Sequence, residues 1–151
     1  MEYSYMSDFK FIIFSDAEKY DFRGIESNEI ERALQKIKLP IELLDFYRQI
    51  GYGFVNLSEP NAIYRILDPI EVVAINRREG IYSSDPELES FEDEFYKNKV
   101  IFFEVNEGIY LTMNVADHNK KNSVYYFRKK IADSFEEFLK KFDENPFFFE
   151  E

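Results

Sequence analysis

Residues 39–53 constrain this chain more than any other stretch, because they spell a helix with both ends marked. Pro40 suits a first helical turn, where its missing N–H would have had no partner. Leu43, Phe46, Tyr47 and Ile50 recur at i, i+3, i+4 and i+7, so one apolar stripe has to be buried. Gly51 can take the left-handed conformation that ends a helix, and Gly53 adds a second permissive residue to the exit. Nothing in the stretch does chemistry. With Leu39, these residues mark a fold.

The chain of 151 residues is 45% hydrophobic and 19% aromatic, with 17 Phe, 11 Tyr and no Trp. That is enough apolar material for one domain with a packed core. No cysteine occurs, which excludes disulfides, thiolate nucleophiles and Cys-based metal sites and fits a cytoplasmic setting. The net charge of -11, from 19 basic and 30 acidic residues, repels nucleic acid and anionic membranes and attracts basic surfaces. Glu2 and Asp8 stand where a secretory leader would carry basic residues.

Residues 1–7 read as frayed or loosely docked, and residues 9–14, rich in aromatic and β-branched types, as a strand. Asn28 and Glu31 have capping-box spacing, which predicts a helix over 28–37, followed by the helix at 40–50. Residues 54–59 read as a loop or short strand, and residues 63–67 as a strand. Asp68, Pro69 and Glu71 write a helix start, predicting a helix over 69–78. Strands at 100–105 and 109–115 join through Asn106, Glu107 and Gly108, where Gly supplies positive φ. A polar turn at 117–122 and a strand at 123–128 complete a meander. Asp133 and Glu136 suggest another capping box, and Phe135, Phe138, Leu139 and Phe142 form the stripe of a helix at 133–143. The tail Phe147, Phe148 and Phe149 either packs back on the domain or forms an exposed anchor. Together these elements predict one α+β domain: a central antiparallel sheet with helices mainly on one side.

Chemistry is sparse. His118, the lone histidine, sits in the predicted polar turn with no second His or Cys to share a metal. No nucleophile elbow and no Gly-rich phosphate loop occur. Catalytic, metal and cofactor residues are therefore not expected. The sharpest local feature is acidic: Asp85, Glu87, Glu89, Glu92, Asp93 and Glu94 crowd together, with Leu88, Phe91 and Phe95 on one possible apolar face. The segment is either a solvated helix face or an electrostatic contact for a basic partner, with Tyr82, Phe91 or Phe95 as aromatic anchors.

Three motifs carry a family resemblance. Leu39-Pro40, Leu43, Phe46 and the Gly51/Gly53 exit come first, Leu67-Asp68-Pro69-Ile70-Glu71 second, and the run from Ile131 to Leu139 with Ser134-Phe135 and Phe138-Leu139 third. In that order they resemble the SUKH superfamily, the group of the Smi/Knr cell-wall regulators, over roughly residues 25–142. Residues 1–24 stand as an N-terminal extension and 144–151 as a tail of a single domain. The resemblance implies a binding domain without catalysis. Its bacterial members are mostly immunity proteins that neutralise a cognate polymorphic or contact-delivered toxin, often a nuclease. It implies a toxin partner, here one with a basic binding surface. The alternative is a regulatory scaffold that binds an endogenous protein, as in the fungal relatives.

Overall fold

The computed structural model describes residues 7–14, 19–55, 63–106 and 108–150. Its strands are β1 (Asp21–Arg23), β2 (Tyr52–Phe54), β3 (Tyr64–Ile66), β4 (Lys99–Val105), β5 (Ile109–Asn114), β6 (Val124–Tyr126) and β7 (Lys129–Ala132). They form one antiparallel sheet in chain order, each strand paired with its sequence neighbour. The apolar runs expected as strands became β4 and β5, the two longest. Their turn places Asn106 at φ 58° and Gly108 at φ 85°, a region that Asn and Gly tolerate. A register shift between Ile101 and Phe103 lets the adjacent Phe102 and Phe103 reach the same helix.

The helices are α1 (Ser27–Leu34), α2 (Ile41–Gln49), α3 (Pro69–Arg77) and α4 (Phe135–Glu144). Helices α2 and α4 share one face of the sheet. The ring of Phe46 meets Phe135 at 5.3 Å, and Phe138 meets Phe103 at 5.4 Å. Leu39, Leu43, Phe46, Phe135, Phe138 and Leu139 are all buried, so both expected stripes face the core. Helix α3 starts as its sequence predicts: Asp68 accepts the Glu71 N–H, and Pro69 occupies the first position. It takes over where β3 stops. The Asn76 amide both donates to and accepts from the backbone of Ile101, at 2.9 and 2.8 Å, in place of a strand residue.

A buried carboxylate joins distant parts of the chain. Glu42 is fully buried in α2, and Asn122 and Phe135 donate their N–H groups to its Oε1 at 2.6 and 2.8 Å. The Ser7 hydroxyl and the Glu136 N–H donate to Oε2 at 2.6 and 3.1 Å. Helix α4 thus has two of its first N–H groups satisfied from across the fold.

Several local expectations fail for tertiary reasons. Residues 9–14 hold a 3-10 helix, Lys10–Phe14, and not a strand. Phe9 wedges between Phe46 and Phe135, and its N–H donates to the Gln49 side chain, so packing replaces a ladder. Helix α1 starts one residue early behind Glu26, which makes no side-chain cap, so the Asn28–Glu31 box does not form. Helix α4 is capped by Ser134, which accepts the Glu137 N–H; Asp133 pairs with Lys130 at 2.8 Å. Helix α2 ends on a bond from the Gly51 N–H to the Phe46 carbonyl, but Gly51 and Gly53 sit at φ 131° and 143°, outside the helix-ending region. A Cβ would lie 1.9 Å from the Arg23 carbonyl oxygen at Gly51 and 2.1 Å from that of Asp21 at Gly53. The glycines admit β1, a strand the pattern had not marked. The last strand is cut at Phe127, which adopts φ 52° and turns the chain into β7.

The tail packs back: Phe149 lies on Tyr126 and Phe148 on Phe138, while Phe147 stays 41% exposed. The fraying expected over residues 1–7 fails at Ser7, which is buried and donates to Glu42; residues 1–6, most of the 54–59 segment and Glu107 lie outside the described residues. Among the described residues no helix is long and apolar enough to cross a membrane.

Candidate partner-binding face

Arg65, Glu104, Tyr110, Thr112 and Tyr125 alternate onto the sheet face opposite α4. The acidic segment covers it. Residues 80–98 form three short 3-10 turns, Gly80–Tyr82, Pro86–Phe91 and Glu94–Tyr96. The Asp85 and Asp93 carboxylates cap two of them by accepting the N–H of Glu87 and Phe95, both at 3.0 Å. Leu88 and Phe91 point inward, and Phe91 meets Tyr110 at 6.3 Å and stacks on Phe127 at 5.9 Å. Phe95, half-buried, sets its edge against Tyr125 at 5.6 Å. The Lys99 ammonium lies over the Phe95 and Tyr125 rings at 4.1 and 4.5 Å.

The expected contact residues therefore divide. Tyr82 and Phe91 are buried and are not free anchors, because the sheet's second face is apolar and needs covering. Asp85 is half-buried in its cap. Asp93 pairs with Arg128, and the Phe95 N–H, followed by that guanidinium, holds its carboxyl below the usual range. Glu87, Glu89, Glu92 and Glu94 remain exposed on a base fixed by the buried rings. Beneath them Arg65 bonds Glu104 at 2.6 Å and Glu71 at 2.8 Å. Burial, then the Glu104 charge, pushes the Tyr110 hydroxyl far above its ordinary pKa, so it stays protonated.

Ile81 was missed by the sequence reading. It is 85% exposed at the edge of this acidic fringe, pushed out because Tyr82 beside it turns in. An isolated Ile between Gly80 and Tyr82 was the available signal. His118 is exposed in its turn, where its backbone pairs with that of Lys121. Among the described residues no group of three or more His, Cys, Asp or Glu is placed to hold a metal.

The profile of the SMI1 / KNR4 family (SUKH-1) matches residues 24–141. The chain belongs to this family. All three motifs of the resemblance fall inside the matched span, and so does the acidic segment, which is part of the SUKH-1 body of this chain. Strand β1 precedes the span. Immunity protein YxxD of Bacillus subtilis (strain 168) is 41% identical over 127 residues, which cover 83% of this chain and 84% of that protein. No solved structure matches the chain.

Proposed function

We propose that this SUKH-1 chain is an immunity protein. It binds a cognate polymorphic toxin in the cytoplasm and neutralises it as a stoichiometric complex, with no catalytic step. The observation that carries this reading is the 41% identity, across most of both chains, to a protein named for that role. The geometry supports a mode of binding. Glu87, Glu89, Glu92 and Glu94 project from a fixed base, and a basic toxin surface complements them. A nuclease toxin has such a surface, because it must bind phosphates. Exposed ion pairs contribute little each, so the carboxylates steer association while Ile81 supplies apolar contact.

Co-expression with a polymorphic toxin domain tests the reading, scored for rescue of growth and for 1:1 co-purification. Rescue without a complex refutes direct neutralisation. Replacing Glu87, Glu89, Glu92 and Glu94 together by Gln slows association about tenfold or more at low salt, and added salt narrows the difference. Asp93 is left intact because it holds Arg128. Unchanged association at low salt moves the binding surface elsewhere.

A further inference from the structure

The chain is strongly acidic, yet in one of its clefts every charged lining residue is a cation. This cleft of about 720 Å³ opens between the end of α3, the start of β4 and the last acidic turn. Lys38, Arg78, Lys97 and Lys99 line it, and none of its lining residues is Asp or Glu. The ion pairs of the described residues use other cations, among them Arg65, Arg77 and Lys121, so among the described residues these four have no carboxylate partner; the Lys99 ammonium is held instead by the Phe95 carbonyl at 3.1 Å, the Asn98 side chain at 3.2 Å and the Phe95 and Tyr125 rings. Burial holds the Lys99 ammonium below its usual pKa.

Unmet hydrogen-bonding capacity adds to the unmet charge. Thr112 lines the cleft at 1% exposure, and its hydroxyl has no hydrogen-bond partner among the described residues. The buried Arg78 Nε has none either. Buried polar groups normally find partners. Arg78 itself sits at φ 55°, a left-handed conformation that side-chain-bearing residues seldom take, and its Nη1 donates to the Ile75 carbonyl at 2.5 Å. The guanidinium is thereby fixed at the mouth of α3.

We propose that this cleft binds a small phosphorylated organic molecule carrying two or more negative charges. Several cations without a carboxylate partner suit a phosphoryl group better than a single carboxylate. The volume lies in the range of small-ligand clefts, and Ile37 and Val115 give the remainder of the ligand an apolar wall. The site is separate from the outward carboxylates and stands whether or not the immunity reading holds.

Isothermal titration of the full chain with ATP and with pyrophosphate, in magnesium-free buffer at low salt, tests the proposal; adenosine is the phosphate-free control. ATP and pyrophosphate bind 1:1, and adenosine does not bind. The double variant Lys97→Gln/Lys99→Gln weakens ATP binding about tenfold or more. Thr112→Val removes a hydroxyl that lacks a partner, so it keeps or raises the melting temperature while weakening ATP several-fold. Lys129→Gln/Lys130→Gln, on an exposed edge strand, leaves binding unchanged. If the Lys97/Lys99 variant fails to fold, Lys38→Gln together with Thr112→Val carries the same expectation. No heat with either phosphate at millimolar concentration overturns the proposal. So does equal loss in the Lys129/Lys130 variant, which would mean diffuse attraction. Tighter binding of a poly-glutamate peptide than of ATP overturns it too, by assigning the cleft to a protein partner.

Discussion

Glu42→Gln isolates the carboxylate that ties helix α2 to the start of α4. Four donors converge on Glu42: Ser7, Asn122, Phe135 and Glu136. Glutamine keeps one oxygen, so two of these bonds survive while its NH2 group meets the other two donors. A hydrogen bond to a charged group is worth about 1.5–3 kcal/mol, and the two lost here total roughly 3–6 kcal/mol. The Ser7 hydroxyl can turn and accept from the new amide, recovering about 1 kcal/mol and leaving a cost of about 2–5 kcal/mol. For a domain of this size the melting temperature then falls by roughly 4–20 °C. Calorimetry and urea titration measure the loss, with the urea slope unchanged if only stability has moved. Glu137→Gln is the control. It breaks a surface pair with Lys141 at 2.8 Å and shifts stability by less than about 0.5 kcal/mol. A fall below about 3 °C for Glu42→Gln would refute the assignment of this carboxylate as the junction.

Two further outcomes follow from burial. Phe138 is wholly buried against Phe102, Phe103 and Phe142, so Phe138→Ala costs about 3–5 kcal/mol in urea titration; an unchanged midpoint would place α4 on the wrong face. Asp45 is 4% exposed, and its Oδ2 has no hydrogen-bond partner among the described residues. Burial raises its pKa, Arg48 lowers it in part, and Glu42 raises it again. A group whose folded pKa exceeds its unfolded value binds more protons when folded, so it costs stability as the pH rises above the unfolded value of 3.8. Asp45→Asn therefore raises the melting temperature by about 2–4 °C at neutral pH, and the gain shrinks below pH of about 4. A gain independent of pH would contradict this account.

What the sequence made legible was written locally. Helices α2, α3 and α4 carry an apolar period and at least one end signal within a dozen residues, and β4 and β5 are continuous apolar runs around a Gly turn. The acidic segment kept its inward face of Leu88 and Phe91, but its surroundings were not readable. Whether Tyr82 and Phe91 faced solvent depended on a bare sheet face built largely by residues far along the chain. The aromatic run at 9–14 has strand composition, yet only the gap between Phe46 and Phe135 decides its shape. Strand β1 was signalled by two glycines spaced two apart, and β7 was hidden by its exposed lysines. Glu42 reads as an ordinary solvent-facing helix residue, because its four partners come from residues 7, 122, 135 and 136. The cationic cleft draws its charges from positions 38, 78, 97 and 99, and no local pattern joins them.

The meander order of the sheet bears on how the chain reaches this state. Each ladder closes between neighbours; in the β4–β5 hairpin, Val105 already faces Ile109. The Glu42 junction closes separations of 80 and 93 residues. Loop closure costs about 0.6 kcal/mol more per doubling of length, so the hairpins assemble early and the junction closes late. Unfolding reverses the sequence. The Phe135 and Glu136 amides, held among the described residues through that carboxylate, should exchange with solvent before those of β4, and slower exchange there would contradict this order. Ser7, before the first helix, and the start of α4 meet on one side chain, so losing either contact loosens the other.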